Sequence, residues 1–296
     1  MEKSVLQIAG EAHLFLIRKF EKQNNLSELS KYEIIRRIVA LSESYTNSYA
    51  LATSRSVDFN DIRYQAAYMF QYFSALCHSV GYGLDRLSEP LFWHSDGEEG
   101  DLKLNVCSIG GGPGTDVLGF YMYLQRILQN RNIDRKLVIN AKVIDRFDGW
   151  RQAWDAIKMQ LEPEDRIHLD YIRHDLNEPA TEEVESCVAE ANVILMFKFI
   201  SAVTGVPNMQ EKLSNILRNA PRHAYLIFGD NIRGGSTEIF YQVAKEAGFE
   251  LINDYEEERF GIPAGDEYVI LHQLEELYDR RYQNWLGMHF KFLYKK

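Results

Sequence analysis

The chain has 296 residues, of which 46% are hydrophobic and 26% are charged, a composition typical of a globular protein with a sizeable core. Its net charge of -10 and pI of about 5.4 disfavour a broad nucleic-acid-binding surface. Binding of nucleic acid through a local basic patch stays open. No apolar run approaches about 18 residues, and the N-terminus lacks the pattern of a secretory signal. We therefore expect a cytoplasmic protein that does not enter the membrane.

The three cysteines are scattered through the chain, and each lies among apolar neighbours: Cys77, Cys107 and Cys187. They do not show the spacing of metal ligands, and their odd number fits poorly with a disulfide framework. This pattern favours buried, reduced thiols and predicts no metal site.

Residues 1–95 are predicted to form a helical region. Apolar residues at three-to-four spacing predict a first helix over about 5–20, and a capping-box pattern of Ser30 and Glu33 precedes a second helix. A polar stretch follows from 42 to 56. This helical region precedes a different pattern, so it is predicted to be a separate region of the chain.

A third helix is predicted to start at Asp58 and Asp61 and to end at Gly81 and Gly83. Its most distinctive feature is a stripe of aromatic side chains at i, i+4 and i+8: Tyr64, Tyr68 and Tyr72. Two interpretations stay open for this stripe. It either packs into the core or lines a ligand pocket, with Tyr64 and Tyr68 as the candidate pocket residues.

An acidic loop at 94–101 is the best candidate for a boundary, and strands alternate with helices after it. The predicted strands are 104–109, 137–144, 167–172, 193–197, 224–228, 249–255 and 289–294. The predicted helices are 115–129, one capped by Asp148, 181–191, 209–217, 237–247 and 274–285. This alternation predicts an α/β domain over 102–296, with a doubly wound, mostly parallel seven-stranded sheet.

The first of these strands runs into a glycine-rich turn and a long helix. The turn contains four glycines and a proline: Gly110, Gly111, Gly112, Pro113 and Gly114. Glycines let the backbone approach a ligand closely, and the following helix offers free N–H groups at its positive end. The spacing does not fit the dinucleotide fingerprint, the Walker A loop or the hydrolase elbow.

Together with three later positions, this turn resembles the first motif of class I S-adenosylmethionine-dependent methyltransferases. Asp145 ends the second strand and is similar to the acid that binds the ribose in that family. Asp175 and Leu176 follow the third strand and are similar to its adenine-contacting pair, and Phe197 ends the fourth. The resemblance covers about 102–294, and it implies a Rossmann-like methyltransferase fold with S-adenosyl-L-methionine as cofactor. In that family, added N-terminal helices often close over the cofactor, so the resemblance implies that region 1–95 is a lid or recognises the substrate.

The resemblance also leaves individual residues to be assigned. Ser108 stands where the family usually carries an acid that holds the methionine amino group. Asp116 either supplies the missing charge or caps the helix. Arg146 and Phe147 follow the ribose acid, and either one of them covers an adenine face or both simply pack against their neighbours.

On the substrate side, Lys198 either pairs with an anion or is solvated, and Asp230 ends the fifth strand at the ligand edge of the sheet. No catalytic residue stands out, because in-line methyl transfer depends mainly on positioning. We expect methyl transfer to a small molecule or a protein side chain. The alternatives are an RNA methyltransferase and a non-catalytic cofactor-binding scaffold or regulatory subunit, and the oligomeric state stays open.

Overall fold

The computed structural model describes residues 3–24, 31–46, 57–86, 100–232, 234–261, 269–283 and 285–296. Its strands are β1 (Leu102–Ile109), β2 (Leu137–Asp145), β3 (Ile167–Arg173), β4 (Val193–Phe197), β5 (Tyr225–Asp230), β6 (Phe249–Gly261) and β7 (Trp285–Lys295). Its N-terminal helices are α1 (Val5–Gln23), α2 (Lys31–Thr46), α3 (Ile62–Tyr68) and α4 (Ser74–Asp85). The later helices are α5 (Thr115–Asn130), α6 (Trp150–Lys158), α7 (Glu182–Ala189), α8 (Ile200–Val203), α9 (Met209–Arg218), α10 (Ser236–Glu246) and α11 (Val269–Tyr278).

The strands form one seven-stranded sheet in the order β3-β2-β1-β4-β5-β7-β6. The first five strands are parallel, and β7 lies antiparallel between β5 and β6. The chain moves outward from β1 to β3 and then returns to place β4 on the other side of β1. This reversal opens a crevice at the carboxyl ends of β1 and β4. The predicted doubly wound, mostly parallel sheet is therefore confirmed.

Successive side chains along the strands point to opposite faces of the sheet and pack into two separate hydrophobic cores. Val106 of β1 packs on the face covered by the N-terminal helices, α5 and α6. Its neighbour Cys107 points to the opposite face, where it packs with α7, α9 and α10. A strand that is buried on both faces reads as a continuous apolar run, because neither face meets water. The N-terminal helices thus share a core with one face of the sheet.

A buried histidine holds the N-terminal helices together. The Nδ1 atom of His13 on α1 lies 2.7 Å from the carbonyl oxygen of Ala66, and Nε2 lies 2.8 Å from the hydroxyl of Tyr278 on α11. Burial lowers the pKa of His13 to about 4, so the ring is neutral at physiological pH. None of the described helices is long and apolar enough to cross a membrane.

The third predicted helix does not end at its glycines. After a π-helical turn at Met69–Phe73, α4 continues through Gly81 and Gly83 to Asp85. Gly83 is a packing position, because a Cβ there would lie 2.6 Å from the ring of Phe290 on β7. The π-helical turn inserts extra backbone and changes the register of the side chains that follow it. It interrupts the regular i, i+4 stripe on which the tyrosine prediction was based.

Several other boundaries differ from the prediction. α2 extends to Thr46, into the polar stretch that begins at residue 42. Gly149, not Asp148, is the N-cap residue of α6. α11 ends at Tyr278, earlier than predicted, and Trp285 begins β7 instead of ending that helix. Most of the acidic loop lies outside the described residues, so the division into regions 1–95 and 102–296 stays a prediction.

Candidate functional site

A pocket lies at the carboxyl ends of β1 to β4, at the crevice created by the reversal of strand order. Many of the residues predicted to bind a cofactor or substrate line it: Tyr68, Gly110, Gly111, Gly112, Asp116, Asp145, Arg146, Asp175, Leu176, Phe197 and Lys198. Four of the predicted residues do not line it: Tyr64, Ser108, Gly114 and Asp230. The fold thus gathers most of the predicted positions around one cavity, and their roles stay predictions.

The turn between β1 and α5 requires glycine at several positions. Gly110, Gly112 and Gly114 have φ angles of 72°, 54° and 78°, in the left-handed region that favours glycine. The amide of Gly110 donates to the carbonyl of Ile144 at 2.8 Å, which fastens the turn to β2. Gly114 is the N-cap residue of α5 and lies outside the pocket wall. The glycines that line the pocket therefore lie in a turn that is hydrogen-bonded to β2.

Asp116 presents a buried carboxylate to the pocket from the first turn of α5. Ser108 donates its hydroxyl hydrogen to Oδ2 at 2.8 Å, and the amide of Val117 donates to Oδ1 at 2.9 Å. A Cβ on Gly111 would overlap the Ser108 hydroxyl and lie 3.0 Å from Oδ1 of Asp116. Burial raises the pKa of Asp116 to about 6, and the nearby charge of Asp145 adds to the rise.

Asp145 joins the end of β2 to the glycine turn. Its Oδ2 accepts a hydrogen bond from the amide of Gly112 at 3.2 Å, and its Oδ1 accepts one from the amide of Phe147 at 3.0 Å. Burial raises the pKa of Asp145 to about 6 despite these two hydrogen bonds. Each oxygen keeps a second lone pair, so the carboxylate can also accept hydrogen bonds from a ligand.

The β3 end of the pocket combines a polar and an apolar residue. Asp175 accepts hydrogen bonds from the amide and the side-chain nitrogen of Asn177, both at 2.9 Å. Leu176 is buried and packs into the core on the α7 side of the sheet.

Arg146 follows the end of β2. The guanidinium carbon of Arg146 lies 4.4 Å from the centroid of the Phe147 ring, so this arginine packs over its own neighbour.

A group of four pocket-lining aromatic residues, the aromatic cluster, joins the N-terminal region to the part of the pocket near the end of β2: Phe59, Tyr68, Phe147 and Trp150. Phe59 stacks on Trp150 with ring centroids 4.2 Å apart and an interplanar angle of 29°. Tyr68 meets Trp150 edge to face at 5.1 Å, and Phe147 meets Phe59 in the same way at 5.5 Å. Phe59 and Trp150 were not predicted as site residues, because no local pattern pairs residues so distant in sequence.

The N-terminal segment reaches the pocket through a close backbone contact at Gly149. The Gly149 amide donates to the side-chain oxygen of Asn60 at 2.9 Å. A Cβ on Gly149 would collide with the carbonyl oxygen of Phe59 and lie 2.6 Å from the Cα of Asn60. Glycine at the start of α6 therefore allows residues 57–60 to lie against this helix.

The β4 end of the pocket carries a lysine in an unusual backbone conformation. Lys198 has a φ of 55°, its amide donates to the carbonyl of Gly229 at 2.8 Å, and its Nζ donates to Oδ1 of Asn231. Burial lowers the pKa of this lysine. Asp230 is fully buried behind the wall, where its carboxylate accepts hydrogen bonds from the amides of Ser201 at 2.9 Å and Asn231 at 2.7 Å.

Tyr64 lies apart from the pocket wall, although it was predicted to belong there. Its ring meets Phe59 edge to face at 6.3 Å, and the guanidinium of Arg37 lies 5.3 Å from its centroid. The hydroxyl of Tyr72 donates to Ser42 at 3.3 Å. Of the three tyrosines in the predicted stripe, only Tyr68 lines the cavity, where its hydroxyl lies 3.5 Å from that of Thr115.

No protein-family model matches the sequence, and no curated protein matches it significantly. Among solved structures, a loganic acid methyltransferase with SAH is 8% identical, with a TM-score of 0.44 over 77% of this chain and 96% of that one. NodS, an N-methyltransferase of Bradyrhizobium japonicum in complex with S-adenosyl-L-homocysteine (SAH), is 10% identical, with a TM-score of 0.40 over 76% and 88%. A precorrin-6y C5,15-methyltransferase of Geobacter metallireducens is 8% identical, with a TM-score of 0.41 over 74% and 87%.

These similarities are too weak to carry a conclusion about activity or substrate. The fold is defined by this chain's own sheet, with its order β3-β2-β1-β4-β5-β7-β6 and its single reversed strand β7 beside β5. The chain therefore has a Rossmann-like α/β fold with a mostly parallel, seven-stranded sheet, as the alternation of strands and helices in the sequence predicted.

Proposed function

We propose that the protein is an S-adenosylmethionine-dependent methyltransferase and that the pocket at the ends of β1 to β4 is its cofactor site. The observation that carries this proposal is the convergence of the left-handed glycine turn with three carboxylates, Asp116, Asp145 and Asp175, around one cavity. A cofactor with an ammonium, a carboxylate, a ribose and an adenine needs this mixture of acidic groups and close backbone. A dinucleotide site would need amides facing a pyrophosphate more than several acids.

The residues in the pocket suit each part of this cofactor. Asp145 has free lone pairs for two ribose hydroxyls, and Asp175 with Leu176 offers a polar group and an apolar surface to the adenine. Asp116 supplies the negative charge for the ammonium that Ser108 does not carry. The glycine turn and the N-terminus of α5 suit the carboxylate of the methionine part.

The bound cofactor would supply a methyl group activated by a positively charged sulfur. The chain itself would bind the cofactor and the acceptor, orient them and exclude water. In-line transfer depends on alignment of the acceptor with the methyl group. The aromatic cluster and the apolar end of β4 provide the dry walls for this purpose. We propose that the acceptor is a small molecule or a protein side chain, in keeping with the net charge of -10.

Calorimetric titration with S-adenosylmethionine and SAH tests the cofactor site directly. We expect both to bind the wild-type chain and Asp145→Ala to abolish binding, because the ribose hydroxyls lose their acceptor. Asp148→Ala is the matched control, since this nearby acid is exposed and does not line the pocket. Wild-type affinity in Asp145→Ala, or failure of both ligands to bind the wild-type chain, would refute the proposal.

A second experiment tests turnover. Cell extract is fractionated and incubated with the protein and methyl-labelled cofactor, and label is scored separately in small molecules, protein and RNA. Label in small molecules or protein supports the proposed activity. Label in RNA, with binding that weakens steeply as salt rises, would favour an RNA methyltransferase. Cofactor binding without label in any fraction would favour a non-catalytic scaffold.

A further inference from the structure

Lys198 is held in the wall of the pocket by its backbone. Its left-handed φ of 55° is a conformation that residues with a Cβ adopt rarely, and its amide is anchored to the carbonyl of Gly229 at 2.8 Å. Strained backbone of this kind persists only where the surrounding structure enforces it, and it is frequent at binding sites. The position of this cation is therefore built into the junction between β4 and α8.

The charge of Lys198 is not matched by a contacting carboxylate. Among the residues that the structure describes, this lysine forms no ion pair, and its Nζ donates to the neutral amide oxygen of Asn231. Asp230 is the nearby acid, but its carboxylate accepts hydrogen bonds from the backbone amides of Ser201 and Asn231 and does not contact Nζ. Burial lowers the pKa of the lysine, the negative charge of Asp230 partly opposes this shift, and an anion that contacts Nζ would raise the pKa further.

The wall around this cation is apolar. The segment from the end of β4 through α8 lines the pocket with Phe197, Phe199, Ala202, Val203 and Val206. Phe199 lies directly over Gly110, so this part of the wall adjoins the glycine turn. A single ammonium group in an apolar wall is suited to bind a molecule in which one monoanionic group is attached to an apolar part. A phosphate dianion would call for more donors than this site offers.

We infer that Lys198 recognises a carboxylate of the methyl acceptor, and that the acceptor is a small apolar molecule that carries such a group. The inference rests on the proposed methyltransferase function. It names the substrate class, which neither the fold nor the glycine turn identifies.

Paired probes test this inference on the full-length chain in the presence of SAH. Each apolar carboxylate is compared by calorimetry with its neutral amide: benzoate with benzamide, cinnamate with cinnamamide, and octanoate with octanamide. A charge-assisted hydrogen bond should make at least one carboxylate bind about tenfold or more tightly than its amide. Lys198→Met should remove this preference, and Lys198→Arg should retain most of it.

Asn231→Asp provides a second test that keeps the lysine in place. The new carboxylate would contact Nζ and occupy the cation, so the preference for carboxylate probes should disappear. Asn231→Ala is its control and should keep the preference, because it adds no competing charge. Melting temperatures verify that each variant is folded.

Equal affinity for carboxylate and amide across all three probe pairs would overturn the inference, as would a preference that survives both Lys198→Met and Asn231→Asp. Titration of SAH alone separates this outcome from failure of the proposed function. If SAH does not bind, the cofactor proposal fails, and the same probe titrations on the unliganded chain still report on Lys198.

Discussion

Ser108 donates its hydroxyl hydrogen to the carboxylate of Asp116 across 2.8 Å, directly behind Gly111 of the glycine turn. In the family that the glycine turn resembles, this strand end usually carries an acid. Here it supports a carboxylate that comes from the next helix. Asp116 reaches the pocket, whereas Ser108 is fully buried and does not. We propose that the two residues share one role, in which the serine orients the acid that binds the ammonium of the cofactor.

Asp116→Asn should weaken cofactor binding while it stabilises the unliganded protein. The pKa of Asp116 is raised from 3.8 to about 6, so the folded state holds its proton more tightly than the unfolded state. Ionisation therefore destabilises the fold progressively between these two pH values, and the loss persists above them. We expect Asn to raise the free energy of unfolding by about 3 kcal/mol at neutral pH, with no gain below the lower pKa, measured by denaturant titration.

Ser108→Ala is the companion variant. It removes one hydrogen bond from Asp116 but keeps the charge, so it should reduce SAH affinity less than Asp116→Asn does. The opposite order, or wild-type affinity in Asp116→Asn, would show that Asp116 only supports the start of α5.

Cofactor affinity should decrease in acid. Burial raises the pKa of both Asp116 and Asp145 to about 6, and only the ionised forms can pair with an ammonium and accept from both ribose hydroxyls. The affinity for SAH should be constant above neutral pH and fall as the pH drops through about 6. Calorimetry from about pH 5 to about pH 8 at fixed ionic strength measures this. Asp116→Asn should make the fall shallower, and a profile without any decrease would contradict these assignments.

Gly149→Ala should separate the N-terminal segment from the pocket. The new methyl group would collide with the carbonyl of Phe59 and lie 2.6 Å from the Cα of Asn60, so the stacked Phe59 would have to move off Trp150. We expect a loss of stability of about 1–3 kcal/mol in denaturant titrations, with weaker SAH binding.

Gly81→Ala is the control for this substitution. Gly81 lies inside α4, and a Cβ there would lie 3.9 Å from the Cβ of Tyr123 on α5, which is an ordinary van der Waals contact. It should stabilise the protein by up to about 1 kcal/mol, because alanine is the better helix former. Unchanged SAH affinity in Gly149→Ala would show that residues 57–60 do not contribute to binding.

Tyr68 and Tyr72 should behave differently. Tyr68 lines the pocket against Trp150, whereas Tyr72 does not line it and bonds to Ser42. Replacing either residue by leucine keeps apolar volume, so both variants should lose stability to a similar extent. Only Tyr68→Leu should weaken cofactor or substrate binding, as measured by calorimetry. Equal affinities in the two variants, with lowered melting temperatures, would assign the whole stripe to the core.

The sheet and the glycine turn were predictable because their signals are local. A strand that is buried on both faces appears as a short apolar run, and Val193–Phe197 was located to the residue for this reason. Asp145 was located as the residue at the end of its strand. Helix ends were less predictable where glycine serves packing, since Gly83 reads as a stop signal but makes room for Phe290.

The sequence by itself determined the order of strands and helices, the glycine turn and the acids that follow β2 and β3, because each depends on residues close together in the chain. Only the tertiary structure decided which distant side chains meet: Phe59 on Trp150, Ser108 on Asp116, and Lys198 in a wall whose nearby acid is already engaged. Periodicity indicates that a face is buried but not which face it meets. The packing of the folded chain determines which side chains become partners. It therefore also determines which charged and apolar side chains line the pocket.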